Sequence, residues 1–108
     1  MEELDEGGTS GSADVTFDAD GVPTIKLTGE IDMSNVEALR RTIEPTVARA
    51  PERVIFDLSA LSFMDSSGIA LLLQVSAKSK TVRVRHPSTL VKRMIDATGL
   101  TDILVVEP

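Results

Sequence analysis

The chain contains no cysteine, no tryptophan and no tyrosine, and its only histidine is His86. Without thiols there is no disulfide framework, no thiolate metal site and no cysteine nucleophile. One imidazole leaves little for a histidine-rich metal centre, and no cofactor is expected. Phe17, Phe56 and Phe63 are the only aromatic residues, too few for the stacking platform that single-stranded nucleic acid favours. Long apolar runs are missing as well. The longest, Ile69 to Leu73, falls far short of the roughly 20 residues that a membrane-spanning helix needs, so no membrane insertion is expected. The opening residues Met1, Glu2, Glu3, Leu4, Asp5 and Glu6 have neither the positive nor the apolar region of a secretory signal, which makes the cytoplasm the expected location.

What remains is an ordinary globular balance. The 108 residues are 42% hydrophobic and 26% charged, enough for one domain with a core of moderate size and too apolar for a disordered chain. Eleven Lys and Arg against seventeen Asp and Glu leave a net charge of −6, carried by the first third of the chain: nine acids and only Lys26 fall within residues 1–32. An acidic start and the absence of a basic stripe argue against direct contact with nucleic acid.

Residues 1–12 mix acids with Gly7, Gly8, Thr9, Ser10, Gly11 and Ser12, a composition that cannot recover its ordering entropy through burial. They are expected to form a flexible tail, with one domain over residues 13–108. Val15 and Phe17 alternate with polar residues, Asp20-Gly21 marks a turn, and Val22 to Thr28 alternates again, which predicts a β-hairpin. Ser34 or Asn35 can cap a helix carrying Val36, Leu39, Ile43 and Val47 at spacings of three and four, with a kink or early end expected at Pro45. Arg53 to Leu58 reads as a central strand covered on both faces. After the segment Ser59–Met64, the run Asp65-Ser66-Ser67-Gly68 opens a helix with Ile69, Leu72, Leu73 and Ser76 at helical spacing. Val82 and Val84 alternate with Arg83 and Arg85 in a one-sided strand. His86-Pro87-Ser88 then leads into a helix with Leu90, Val91, Met94 and Ile95, which Gly99 ends, and Ile103 to Val106 makes a last strand. Strands alternating with helices after a hairpin predict an α/β domain: a mixed sheet with right-handed crossovers and packed helices.

Hydroxyls and a carboxylate gather at Leu61-Ser62-Phe63-Met64-Asp65-Ser66-Ser67-Gly68, where a strand hands over to an apolar helix. Two readings compete. One is capping, in which Asp or Ser accepts a hydrogen bond from a free backbone N–H for about 0.5–2 kcal/mol and Gly68 allows close packing. The other uses the same unpaired N–H groups and dipole to accommodate a seryl phosphate. A serine hydrolase is disfavoured, because there is no Gly-x-Ser-x-Gly elbow and His86 is the sole imidazole base. Neither a phosphate-binding Gly-x-x-x-x-Gly-Lys loop nor a Gly-x-Gly-x-x-Gly fingerprint occurs. Gly29-Glu30-Ile31-Asp32 reads as a turn with acids near a helix start. Arg83 with Arg85, and Lys92 with Arg93, read as solvated faces.

At these motifs the chain resembles the STAS domain family (sulphate transporter and anti-sigma factor antagonist), and most of all its free-standing bacterial anti-anti-sigma factors. The resemblance spans about residues 14–106. It rests on Leu27-Thr28-Gly29-Glu30-Ile31-Asp32, on Asp57-Leu58-Ser59 with Leu61 to Gly68, and on Val91-Lys92-Arg93-Met94-Ile95 with Thr98-Gly99-Leu100. It implies a regulator and not an enzyme. By this resemblance Ser66 is phosphorylated by a cognate anti-sigma factor that is also a serine kinase, and a serine phosphatase resets the cycle. The unphosphorylated protein binds the anti-sigma factor and frees the sigma factor, with Asp32, Asp65, Ser66, Ser67 and Gly68 at the contact surface. The alternative within the family is a non-phosphorylated scaffold subunit of a membrane transporter or lipid-transport ATPase. Two departures bear on the partner surface. The chain ends just after its last strand, where family members often carry another C-terminal helix, and Lys80 directly precedes Thr81 without the usual glycine turn.

Overall fold

A computed structural model describes residues 10–99 and 103–107. The elements run β1 (Gly11–Phe17), β2 (Pro23–Ile31), α1 (Val36–Val47), β3 (Arg53–Met64), α2 (Ser66–Ser76), β4 (Thr81–Arg85), α3 (Thr89–Ala97) and β5 (Leu104–Glu107). The five strands form one sheet in the order β1-β2-β3-β4-β5. β1 is antiparallel to β2, and each later pair is parallel.

The hairpin turns where Asp20-Gly21 predicts. Asp18 Oδ1 accepts from the amides of Asp20 (2.8 Å) and Val22 (2.9 Å). From β2 onward the strand order only advances, and right-handed crossovers that always step in one direction place every helix on the same face. The burial pattern agrees. Ile25, Leu27, Val54, Phe56, Leu58, Val82, Val84 and Leu104 join one cluster with Leu39 and Ile43 of α1, Leu72 and Val75 of α2, and Val91 and Ile95 of α3. The alternate residues Thr24, Lys26, Asp57, Arg83, Arg85, Val105 and Glu107 face away and stay half-buried or exposed. The expectation that β3 is covered on both faces is therefore corrected. Ile55 alone on that open face is buried, in register between Thr24 and Arg83. Its neighbours' side chains shelter it without a second helical layer.

Three boundaries also move. β1 takes in Gly11 and Ser12, which pair with Gly29 and Thr28, so these two residues leave the tail, while residues 1–9 lie outside the described ones. β2 continues through Gly29, Glu30 and Ile31, the stretch expected as a turn. β3 continues through Ser59–Met64 beside it, with irregularities between Lys26 and Thr28 and between Gly29 and Glu30. Pro45 neither ends α1 nor shortens it, because it sits in the last turn, where one lost N–H bond is tolerated before the helix stops at Val47. The α2–β4 connection needs no glycine, since none of residues 77–80 takes a positive φ and the amides of Lys80 and Thr81 both donate to the Glu52 carbonyl at 3.0 Å.

Candidate functional site

The long β2–β3 pairing carries both strands to one edge of the domain, where their ends release the loops that start α1 and α2. The Asp65 amide donates to the Ile31 carbonyl at 3.0 Å, which ties the end of β3 to the residue before Asp32. Asp32 and Asp65 are thereby brought together, and the negative charge of Asp32 acts on the Asp65 carboxyl.

Asp65 is the N-cap of α2 and accepts from the Ser67 amide at 2.8 Å. The Ser67 hydroxyl also donates to the same Asp65 oxygen. That side-chain bond is the main reason the Asp65 carboxyl lies below the usual carboxylate range; burial and the charge of Asp32 oppose it, and the Ser67 and Gly68 amides assist it. The capping expectation is met, and it separates the two serines. Ser67 is half-buried with its hydroxyl engaged, whereas Ser66, the first residue of α2, is exposed and its hydroxyl makes no hydrogen bond among the described residues.

Gly68 is buried one turn below, and a Cβ there would stand 2.8 Å from Met64 Cβ. Close packing of α2 onto the end of β3 requires glycine at this position. Gly29 has φ +87, and a Cβ on it would meet the Ser10 carbonyl at 2.4 Å. Gly29 thus lets backbone approach backbone beside the acidic pair, and Gly68 lets α2 seat against the Met64 side chain.

The Asp32 loop is held by a dense set of local bonds. Asp32 Oδ1 accepts from the Ser34 amide (2.9 Å) and hydroxyl (2.6 Å), and the Asp32 carbonyl accepts from the amides of Asn35 (3.2 Å) and Val36 (3.0 Å). Asn35 occupies the N-cap position of α1 without making a side-chain cap bond. Its amide side chain instead bridges the loop, with Oδ1 accepting from the Asp32 amide (3.1 Å) and Nδ2 donating to the Glu30 carbonyl (2.8 Å). The expectation that Ser34 or Asn35 caps α1 by its side chain is replaced by this clamp.

Two residues to which the sequence reading gave no place at the contact surface stand beside acids, Met33 next to Asp32 and Phe63 opposite Glu30. Met33 is 82% exposed and Phe63 is 37% exposed. For Met33 the only available signal was an apolar residue set between the polar loop residues Asp32 and Ser34, which period-based reading does not weigh; Phe63 lies within β3, where the broken alternation hid its outward turn.

The remaining candidates lie elsewhere. His86 follows β4 with φ +55, and its charge bears on Asp57 of the open face. Arg83 and Arg85, expected as merely solvated, both pair with Glu107, at 2.6 and 3.0 Å. Among the described residues no group of His, Cys, Asp and Glu could hold a metal ion, and no helix is long and apolar enough to cross a membrane. A cavity of about 320 Å³ opens between α1 and α2, lined by Ile43, Val47, Leu71 and Val75 among others; neither Asp32 nor residues 65–67 contribute to it. The half-buried acidic pair and the exposed Ser66 lie outside this cavity, a form suited to meeting another macromolecule.

Comparison with known proteins gives a consistent set of relatives. The family described as "Mlab, STAS domain" matches residues 15–107. An anti-sigma F factor antagonist of Paenibacillus polymyxa is 29% identical over 91 residues, covering 80% of this chain and 78% of its own. The crystal structure of an anti-sigma factor antagonist from Mycobacterium paratuberculosis superposes with a TM-score of 0.77 at 35% identity, covering 92% of this chain and 86% of that one. The anti-sigma factor antagonist SpoIIAA in its unphosphorylated form gives a TM-score of 0.72 at 25% identity, covering 89% and 88% of the two chains.

Proposed function

The chain belongs to the STAS domain family, and from that premise we propose that it is a cytoplasmic anti-anti-sigma factor switched by phosphorylation of Ser66. It binds a cognate anti-sigma factor and so releases a sigma factor. The anti-sigma factor is also a serine kinase, which transfers the γ-phosphoryl group of ATP to Ser66 Oγ; the hydroxyl proton leaves to a base of the kinase, ADP departs, and a serine phosphatase later hydrolyses the ester. The chain itself is not an enzyme and needs no cofactor.

The observation that carries this reading is the contrast between an exposed, unbonded Ser66 hydroxyl and a Ser67 hydroxyl tied to the Asp65 carboxylate. Only the former is presented for attack on phosphorus. A non-phosphorylated scaffold of a transporter or lipid-transport ATPase has no use for such an acceptor.

Inactivation follows from charge. A phosphoserine adds about −1.5 to −2 at pH 7. Beside Asp65 and Asp32, each added unit at about 4 Å costs on the order of 4 kcal/mol at an effective dielectric near 20, while the α2 dipole returns only about 0.3–1 kcal/mol. Reversing a 99:1 population takes roughly 5.5 kcal/mol, within reach of repulsion and desolvation once a partner covers the site.

The test is incubation with ATP and the purified anti-sigma factor, followed by mass spectrometry. One phosphate is expected, on Ser66, in the wild type and in Ser67→Ala, and none in Ser66→Ala. A phosphate elsewhere, or none from a kinase that binds the protein, overturns the reading. ATP turnover by the chain alone would contradict its assignment as a non-enzyme.

A further inference from the structure

Resting on the function proposed above, we infer that Met33 is the apolar anchor of the partner interface, seated in a shallow hydrophobic pocket of the anti-sigma factor that is rimmed by Lys or Arg. Three observations carry this. Met33 is 82% exposed, more than Phe17, Phe63, Leu90, Ile103 or Val105, the other large apolar residues exposed in the described part of the chain. Its position costs the free protein apolar contact with water and contributes nothing to the core.

The segment that holds it is rigid by construction. Asp32 and Ser34 on either side are joined through the Asp32 carboxylate, and Asn35 bonds back to Asp32 and Glu30. An exposed apolar side chain on a pre-ordered turn loses little backbone entropy on binding, which is the usual setting of an interface residue with a large individual effect.

Charge then decides the kind of partner. Met33 adjoins Asp32, which acts on Asp65, and exposed Glu30 pairs in register with exposed Phe63. Carboxylates on the same edge as an apolar tip repel an anionic lipid surface and a phosphate backbone alike. It fits a protein surface with an apolar hollow and cationic edges. The arrangement also couples the anchor to the switch, since phosphate on Ser66 adds charge of the same sign to the edge that holds Asp65 and Asp32.

The experiment measures affinity of the full chain for each anti-sigma factor serine kinase encoded in the same genome, purified, by calorimetry. Alongside the wild type run Met33→Ala, Met33→Leu and Ser66→Asp, each with a thermal melt. Met33→Ala is expected to weaken binding about tenfold or more, Met33→Leu to stay within about threefold because volume and apolarity are kept, and neither to lower the melting temperature. Met33→Ala binding as tightly as wild type while Ser66→Asp is weakened overturns the anchor and leaves the proposed function standing. A melting temperature lowered in Met33→Ala assigns Met33 a structural role and overturns the anchor too. Wild type binding none of the kinases removes the function, and the anchor with it.

Discussion

The open face of the sheet and the acidic edge at the starts of α1 and α2 are both charged, but they handle charge in opposite ways. On the open face, Asp14, Lys26, Asp57, Arg85 and Glu107 stand in register across all five strands, so that each charge lies beside the opposite sign. Cross-strand pairs of this kind favour the sheet. Glu107 is held below the usual carboxylate range by its bonds to Arg85 and then Arg83, and Asp57 mainly by the Ser59 amide, then the Ser59 hydroxyl, with Lys26 and His86 adding less. At the acidic edge the Asp65 carboxyl is held down mainly by a hydroxyl, and the charge that acts on it is another carboxylate, that of Asp32. One region neutralises its charge internally. The other brings two carboxylates together on the edge that also carries an exposed hydroxyl and an exposed methionine, the arrangement on which the proposed contact with a cationic partner rests.

Substitutions should separate the two regions, and the largest effect on stability belongs to the acidic edge. Gly68→Ala places a Cβ 2.8 Å from Met64 Cβ, and the overpacking is expected to cost about 1–3 kcal/mol in a urea titration. Next comes Asp65→Ala, which removes the α2 cap for about 1 kcal/mol at neutral pH. Asp65→Asn keeps a capping oxygen and should lose less.

The same carboxyl sets a pH signature. Because Asp65 is lowered in the folded chain, its contribution is fully present above the ordinary carboxylate value of about 4 and is lost as pH falls through and below it. Asp57 and Glu107 act in the same sense. Stability measured between pH 6 and pH 2 should therefore decline on the acid side, and Asp65→Asn should flatten part of that decline.

Smaller still is the effect expected on the open face. Lys26→Ala and Arg85→Ala should change stability by less than the Asp65 cap, since exposed pairs contribute about 0–1 kcal/mol, and should leave partner affinity unchanged within twofold. A large loss of affinity in either variant would erase the contrast between the regions. Deletion of residues 1–9 should alter neither the melting temperature nor partner binding. The cut must stop there, because removing Gly11 and Ser12 strips pairs from β1.

The order of elements, the hairpin and the buried stripe of α1 were legible in the sequence, because each follows a clean period of 2 or 3.6, whereas α2 buries Leu71 and Val75 where Leu73 and Ser76 were expected, and Leu90 of α3 is exposed. The end of β3 was not. Its buried residues Leu61 and Met64 stand three apart, and the register shifts opposite them in β2 break the alternation that would mark a strand. The same irregularity hid Gly29–Ile31 as strand. Ile55 in an unbroken apolar run suggested a second covering layer, whereas neighbours in register shelter it. At the site, the Asp65 cap and the tight place of Gly68 could be read from residue type alone. The engagement of Ser67, the Asn35 clamp and the exposure of Met33 depend on which way side chains turn, which the periodicity of a sequence does not encode.

The central claim is that phosphate on Ser66 blocks the partner locally, by charge at the acidic edge, and leaves the fold alone. It is tested most directly by the affinity of the purified anti-sigma factor for the Ser66-phosphorylated and the unmodified protein, with far-UV circular dichroism recorded on both. The account predicts binding at least about 100-fold weaker for the phosphoprotein, a difference of roughly 2.7 kcal/mol, with superimposable spectra. Equal affinity of the two forms, or a large spectral change on phosphorylation, would contradict it.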